Sequence, residues 1–180
     1  MRKARFPLRT ERAFPVFIAA LFMFVSAREC IAAGYINGGA SWARYGNRLS
    51  SAVPFERSQG QAISAGFDIG GGLTGGLVFE MGIAQSPAFD GTYQATGFAL
   101  EKSFLDRALT FGVAVAMANI DMGPGAVWSL CPLGDLYVRV AMVRFQKSAL
   151  EAMAGARSII VARTDSLVAG RIGITAMGFL

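Results

Sequence analysis

The chain has no histidine among its 180 residues. That absence removes the usual general base, and with it Ser-His-Asp and Cys-His catalysis and the ordinary zinc sites. Serines such as Ser64 and Ser129 stand without a recognisable base, so no catalytic, cofactor-binding or metal-ligating set emerges. Cysteine is nearly as scarce. Cys30 and Cys131 are the whole complement, and one pair makes no disulfide framework. Charged residues are only 16% of the chain against 53% hydrophobic, which is the reverse of a disordered composition.

A basic folded surface is also missing. The formal charge is +5, but Arg2, Lys3, Arg5, Arg9 and Arg12 crowd the first dozen residues against Glu11 alone. Beyond Ala33, eleven bases face ten acids. Nucleic-acid binding requires a basic face on the folded body, so no nucleic-acid partner is expected.

The basic start "MRKARFPLRTER" is followed by the apolar run "AFPVFIAALFMFV" and then by "SARECIAAG". Basic, apolar, small is the order of a secretory signal peptide. The apolar run is shorter than the roughly 20 residues of a spanning helix. The order predicts a signal peptide over residues 1–33, with cleavage after Ala27 or Ala33; an uncleaved anchoring helix is the alternative. Arg28 and Glu29 precede Cys30 where a lipoprotein signal requires small residues. Cleavage after Ala33 would leave Cys131 without a partner in the exported chain.

What the chain has in abundance is glycine, 22 residues, set among bulky aliphatics at period two. In "AISAGFDIGGGLTGGLVFEMGIAQ", Ile63, Ala65, Phe67 and Ile69 share one face of a strand, and Ser64, Gly66, Asp68 and Gly70 share the other. After the glycine turn, Leu73, Leu77, Phe79, Met81 and Ile83 oppose Thr74, Gly76, Glu80, Gly82 and Ala84. The alternation recurs in "RALTFGVAVAMAN", "DLYVRVAMVRF" and "LVAGRIGITAMGFL". Alternation of this kind marks strands. In a soluble sandwich the face opposite the bulky one carries large polar groups. Here it carries Gly, Ala, Ser and Thr with a rare lone charge, which suits a narrow interior within an apolar exterior. A bilayer requires every backbone polar group to be paired, so such a sheet must close.

The expected fold is all-β, an eight-stranded antiparallel up-and-down transmembrane barrel over residues 34–180. Its strands are expected near 35–45, 61–69, 73–85, 92–101, 107–119, 125–132, 136–146 and 165–180. Gly70–Gly72, Lys102–Asp106 and Leu133–Asp135 would be the short turns; 46–60, 86–91, 120–124 and 147–164 would be the outer loops. Tyr93, Ala95, Gly97 and Ala99 would make a thin lipid-facing stripe. Ile159, Ile160 and Val161 would extend the last hairpin or form a separate strand.

With "GYINGGASWARYG" as first strand, the glycine hairpin, "FALEKSFLDRALTFGVAVAMA" and the closing "TAMGFL", the chain resembles small eight-stranded outer-membrane barrels. These include the transmembrane domain of outer-membrane protein A and related surface antigens. Such barrels commonly end in Phe; here Phe179 is penultimate and Leu180 last. The resemblance implies a non-catalytic protein of an outer membrane, with the bilayer and its lipopolysaccharide leaflet as partner. An unidentified extracellular ligand would bind the outer loops.

Asp68, Glu80, Arg139 and Arg171 fall on the small-residue face, which becomes the lumen. Lone charges there are costly unless paired. Two opposite-charge layers are expected, Asp68 with Arg139 low and Glu80 with Arg171 near mid-height. Trp42, Tyr45, Tyr93 and Trp128 are candidates for interfacial aromatic belts. The alternative readings are a narrow pore for ions or small solutes, a soluble exported β-protein, and a helical inner-membrane protein. The last would span through "ALTFGVAVAMANIDMGPGAVWSLCPL", which Asp121 and Gly-Pro-Gly interrupt.

Overall fold

A computed structural model describes residues 34–48, 56–85, 90–123, 127–162 and 165–179. The expected signal peptide, both cleavage positions, Cys30 and the tips of the expected outer loops lie outside the described residues. Eight antiparallel strands follow one another round a closed barrel. They are β1 (Gly34–Arg48), β2 (Arg57–Gly70), β3 (Leu73–Gln85), β4 (Asp90–Phe104), β5 (Leu109–Asp121), β6 (Val127–Arg144), β7 (Ser148–Ala162) and β8 (Asp165–Phe179). Pairing of β1 with β8, from Tyr35 opposite Phe179 to Arg48 opposite Leu167, closes the ring. Closure leaves no sheet edge with unpaired N–H and C=O groups.

Three short reversals lie at one end of the barrel, here the turn end, together with Gly34 and Phe179. The β2–β3 reversal is Gly71–Gly72, with φ of 61° and 77°. Positive φ at both central residues is the condition of a type I′ hairpin turn, and glycine meets it without steric cost. Asp68 Oδ1 accepts the Gly70 N–H at 2.7 Å and fixes the approach. The opposite end is the loop end.

Most strands show their bulky face outward; on β7 the order is the reverse, with Ala152, Ala154 and Ala156 on the outer face and Met153, Arg157 and Ile159 inside. Leu77, Val115 and Ile172 are 68%, 64% and 63% exposed, whereas Glu80, Arg139 and Arg157 are 3%, 1% and 1% exposed. Water-soluble proteins bury the first kind and expose the second. Inside, Ala84, Ala95, Ala99, Ala114 and Ala118 keep the wall thin. Each of three inward tyrosines lies over glycine on the neighbouring strand. Tyr35 stands opposite Gly66, Tyr93 opposite Gly82, and Tyr137 between Gly112 and Gly155. A Cβ at Gly82 would lie 2.6 Å from Gly60 Cα and 2.7 Å from the Tyr93 ring. Much of the glycine content is thus floor space for aromatic rings, as in the covering of strand glycines by aromatic neighbours.

The strand map needs three corrections. The expected turn at Leu133–Asp135 is mid-strand, so 125–132 and 136–146 are one long strand, β6. Gly134 and Asp135 have turn-like chemistry, yet Gly134 pairs with both Val115 and Ser158, and Asp135 points inward. The expected outer loop 147–164 is mostly β7, including Ile159–Val161. Its alanine-rich first part, Ser148–Ala156, has weak strand propensity, and pairing on both sides overrides that preference. On β4 the expected lipid-facing stripe is reversed. Tyr93, Ala95 and Ala99 are buried in the lumen, while Gln94, Thr96, Phe98 and Leu100 face outward. Register with β3, Tyr93 opposite Gly82 and Ala99 opposite Gly76, fixes that parity.

The stretch from Ala108 to Leu133 runs through β5 and the start of β6, not through a spanning helix. Among the described residues no helix is long and apolar enough to cross a membrane, which says nothing of crossing by strands. Pro132, which has no N–H to donate, sits in β6 next to an irregularity. There Leu130 has φ 54° and its N–H is held by Asn119 Oδ1 at 3.0 Å.

Gly82→Val would drive a branched side chain into Gly60 and Tyr93. We expect a stability loss of about 1–3 kcal/mol by urea titration in detergent. Gly38→Ala, where a Cβ meets nothing within 4 Å, should change it by less than about 0.5 kcal/mol.

Candidate functional site

The lumen gathers the chain's polar chemistry in layers. Nearest the loop end it is apolar, packed with Ile120, Met122, Cys131, Leu133, Ile159 and Leu167. Cys131 is a buried free thiol.

Beneath this plug lie Glu80 from β3, Asp135 from β6, Arg157 from β7 and Arg171 from β8. Arg157 donates to both Glu80 oxygens, at 2.8 and 2.6 Å, and to both Asp135 oxygens, at 2.8 and 2.7 Å. It therefore makes two bidentate pairs, the strongest geometry available to a guanidinium. Arg171 donates to Glu80 Oε2 at 2.8 Å, to Ser41 Oγ at 2.9 Å and to Asp135 Oδ2. The Tyr93 hydroxyl donates to Glu80 Oε1. Two acids and two bases make this layer neutral. Burying each ion costs several kcal/mol, which close, multiply bonded pairing offsets.

The next layer toward the turn end holds Glu101 from β4, Arg139 from β6 and Glu151 from β7. Arg139 pairs with Glu101, and its Nη1 lies 3.3 Å from Glu151 Oε2. The Tyr137 hydroxyl donates to Glu101 Oε1 at 2.6 Å, and Thr175 Oγ1 donates to Glu151 Oε2 at 3.4 Å. Between the layers lies a cavity of about 50 Å³ lined by Asn37, Ser41, Ser64, Asp135, Arg139 and Arg171 among others. That space has the size and polarity for a few waters and is too small for a solute. At the turn-end rim, Arg107 sits 3.6 Å from Asp68 and 4.4 Å over the Phe179 ring.

The structure brings Glu80 and Arg171 together. It does not bring Asp68 to Arg139. Asp68 stands beside the β2–β3 turn, whereas Arg139 lies further up β6, whose reversal is at Phe145–Lys147; the misplaced turn had put Arg139 at the wrong height. Tyr45 and Tyr93 do not form a belt. Both are buried in the lumen, where Tyr45 Oη lies 3.2 Å from Ser58 Oγ. Trp42 does face outward, 43% exposed, and the Trp128 side chain lies outside the described residues. Sequence reasoning missed Glu101, Asp135, Glu151 and Arg157. Asp135 shares parity with Tyr137 and Arg139, a signal that the expected turn at Leu133–Asp135 hid; Glu101 shares parity with Tyr93, Ala95 and Ala99, so reversing that stripe turns it inward as well. Glu151 and Arg157 share a parity too, which only shows once 148–162 is taken as a strand.

Every carboxylate of the two layers faces a guanidinium, and no nucleophile stands beside a base in them. The arrangement ties strands together and fills the bore.

No family model matches the sequence, and no curated protein matches it. Among solved structures the chain is similar to neisserial surface protein A (NspA), with a TM-score of 0.59 and 17% identity over 82% of this chain and 98% of that one. The N-terminal β-barrel domain of Pseudomonas aeruginosa OprF matches with a TM-score of 0.48 and 12% identity, over 81% of this chain and 97% of that one. The likeness to NspA is one of fold, the small eight-stranded barrel of outer-membrane proteins.

Arg157→Met would leave Glu80 and Asp135 sharing Arg171 alone. A loss of about 3–5 kcal/mol is expected from urea unfolding. Arg107→Met at the half-exposed rim should cost less than about 1 kcal/mol. Equal effects at both positions would contradict a buried, energetically coupled layer.

Proposed function

We propose that the protein is a non-catalytic barrel of a bacterial outer membrane. It is exported by a signal peptide over residues 1–33 and does not conduct solutes. Its role is structural, in envelope integrity, or in surface interaction through the loop-end segments. The observation that carries this reading is the inversion of the molecule, with an apolar exterior round a bore stoppered by ion pairs.

The dimensions agree. Strands β3 and β5 have 13 residues each. At about 3.4 Å per residue and a tilt near 45°, such a strand rises about 30 Å, the thickness of a bilayer's hydrocarbon core. Among the described residues the outward charged groups sit at the two ends of the wall, Arg44, Arg57, Asp90 and Asp121 at the loop end and Lys102, Asp106 and Arg144 at the turn end, with only uncharged polar groups such as Gln61, Gln94 and Thr96 between them. A soluble protein exposing so much contiguous apolar surface would aggregate. NspA is by its name a surface protein, which agrees with a surface role here.

The pore reading requires an open bore. The apolar plug and the two charged layers, with a cavity of only about 50 Å³ between them, argue against it. The missing histidine argues against the lipase or protease chemistry that a membrane barrel can host.

In a planar lipid bilayer the reconstituted protein should be electrically silent. Discrete, reproducible conductance steps from heat-modifiable, folded protein would overturn the plugged-barrel reading in favour of the pore.

A further inference from the structure

One outward-facing site is built for an anion. Arg44 on β1 and Arg57 on β2 stand directly opposite each other across the strand pair, both exposed on the outer face at the loop end. Like charges placed opposite on one face of a sheet repel. Among the described residues neither forms an ion pair or a side-chain hydrogen bond. Glu56, next to Arg57 in sequence, has interactions of its own. The outward acids Asp90 and Asp121 lie on β4 and β5, two and three strands from Arg57. At about 4.8 Å per strand, neither carboxylate stands beside the pair.

The surroundings say what kind of anion fits. Arg44 pairs with Gly170 of β8, where a Cβ would meet nothing within 4 Å, so the wall beside the guanidinium is cut away. One row closer to the barrel's middle, Ile172, Trp42 and Gln59 stand side by side on the same face. Together these residues line an open recess of about 490 Å³. Its upper wall is cationic, with the Gln85 amide beside Arg57, and its lower wall is mainly an indole and an exposed aliphatic side chain, edged by the Gln59 amide. A soluble anion has no use for the apolar wall; an apolar ligand has no use for two unpaired guanidiniums. A lipid whose phosphate lies just above the start of its acyl chains uses both.

We propose that Arg44 and Arg57 clamp the phosphate of a lipid headgroup in the leaflet at the loop end, with its acyl chains running down past Trp42 and Ile172. This rests on the membrane reading above. In an outer membrane that leaflet carries phosphorylated lipopolysaccharide. The clamp offsets the repulsion between the two arginines and fixes the barrel's depth in the bilayer.

The test uses the full chain in mild detergent and in phosphatidylcholine vesicles. Native mass spectrometry with phosphatidic acid, phosphatidylcholine and inorganic phosphate in turn should show retained phosphatidic acid alone. Arg44→Gln with Arg57→Gln should weaken that retention about tenfold or more, while Lys102→Gln at the turn end should leave it unchanged. Retention unaffected by the double substitution would overturn the proposal. So would inorganic phosphate competing at the same concentration as the lipid, which would make the pair a free-anion site. Vesicle flotation separates this failure from that of the membrane reading. Protein that floats with vesicles but does not select phosphatidic acid refutes the clamp alone; protein that stays at the bottom refutes both.

Discussion

A sheet of eight strands that closes on itself leaves a bore only as wide as the side chains that fill it. The rest of the molecule follows from that limit. Inward positions are small where the wall must stay thin, and three of the large inward groups, Tyr35, Tyr93 and Tyr137, lie over glycines that make room for them. Bulky residues beyond the few that plug the bore, from Ile120 to Leu167, then have the outside to occupy. The two-residue period of a strand enforces the separation, because a slip of one position would turn every greasy group into the bore.

Polar stoppering of the bore costs desolvation that an aliphatic filling would avoid. What it adds is direction. The Glu80, Asp135, Arg157 and Arg171 layer draws its members from four strands and reaches β1 through Ser41. Arg157 and Glu80, 77 residues apart in sequence, meet across the lumen in a bidentate pair. Such contacts are satisfied in one register of the closed sheet. An apolar plug of the same volume would tolerate several, so the ion pairs distinguish the native closure from its neighbours. The apolar residues above them, from Ile120 to Leu167, keep loop-end water from competing for the same guanidiniums.

The fold was legible because its signal is redundant. Strands β2, β3, β5 and β8 each carry several consecutive alternations, and any one of them implies a half-exposed, half-thin face. Reading failed where a local cue contradicted the global period. Gly134-Asp135 has the chemistry of a turn, and Ser148–Arg157 the composition of a helix or loop, yet both pair on two sides within the barrel. Those two errors offset each other in the strand count and displaced half of the charge network. Glu80 with Arg171 was readable from parity alone. Glu151 and Arg157 were not, because their strand was invisible, and Tyr93 was misread because tyrosine belongs equally to a lipid interface and to a wet bore. A hydroxyl's partner, here Glu80, is a three-dimensional fact that no spacing in one strand discloses.

A barrel inverted in this way requires its exterior to be the hydrocarbon-facing side. Spin labels placed singly at Val113 and Ala114 of β5, in protein reconstituted into lipid vesicles, test this most directly. Collision with dissolved oxygen, which concentrates among acyl chains, should be high at Val113 and low at Ala114, and a water-soluble relaxation agent should reach neither freely. A Val113 label sheltered from oxygen, or one relaxed readily by the aqueous agent, would contradict it.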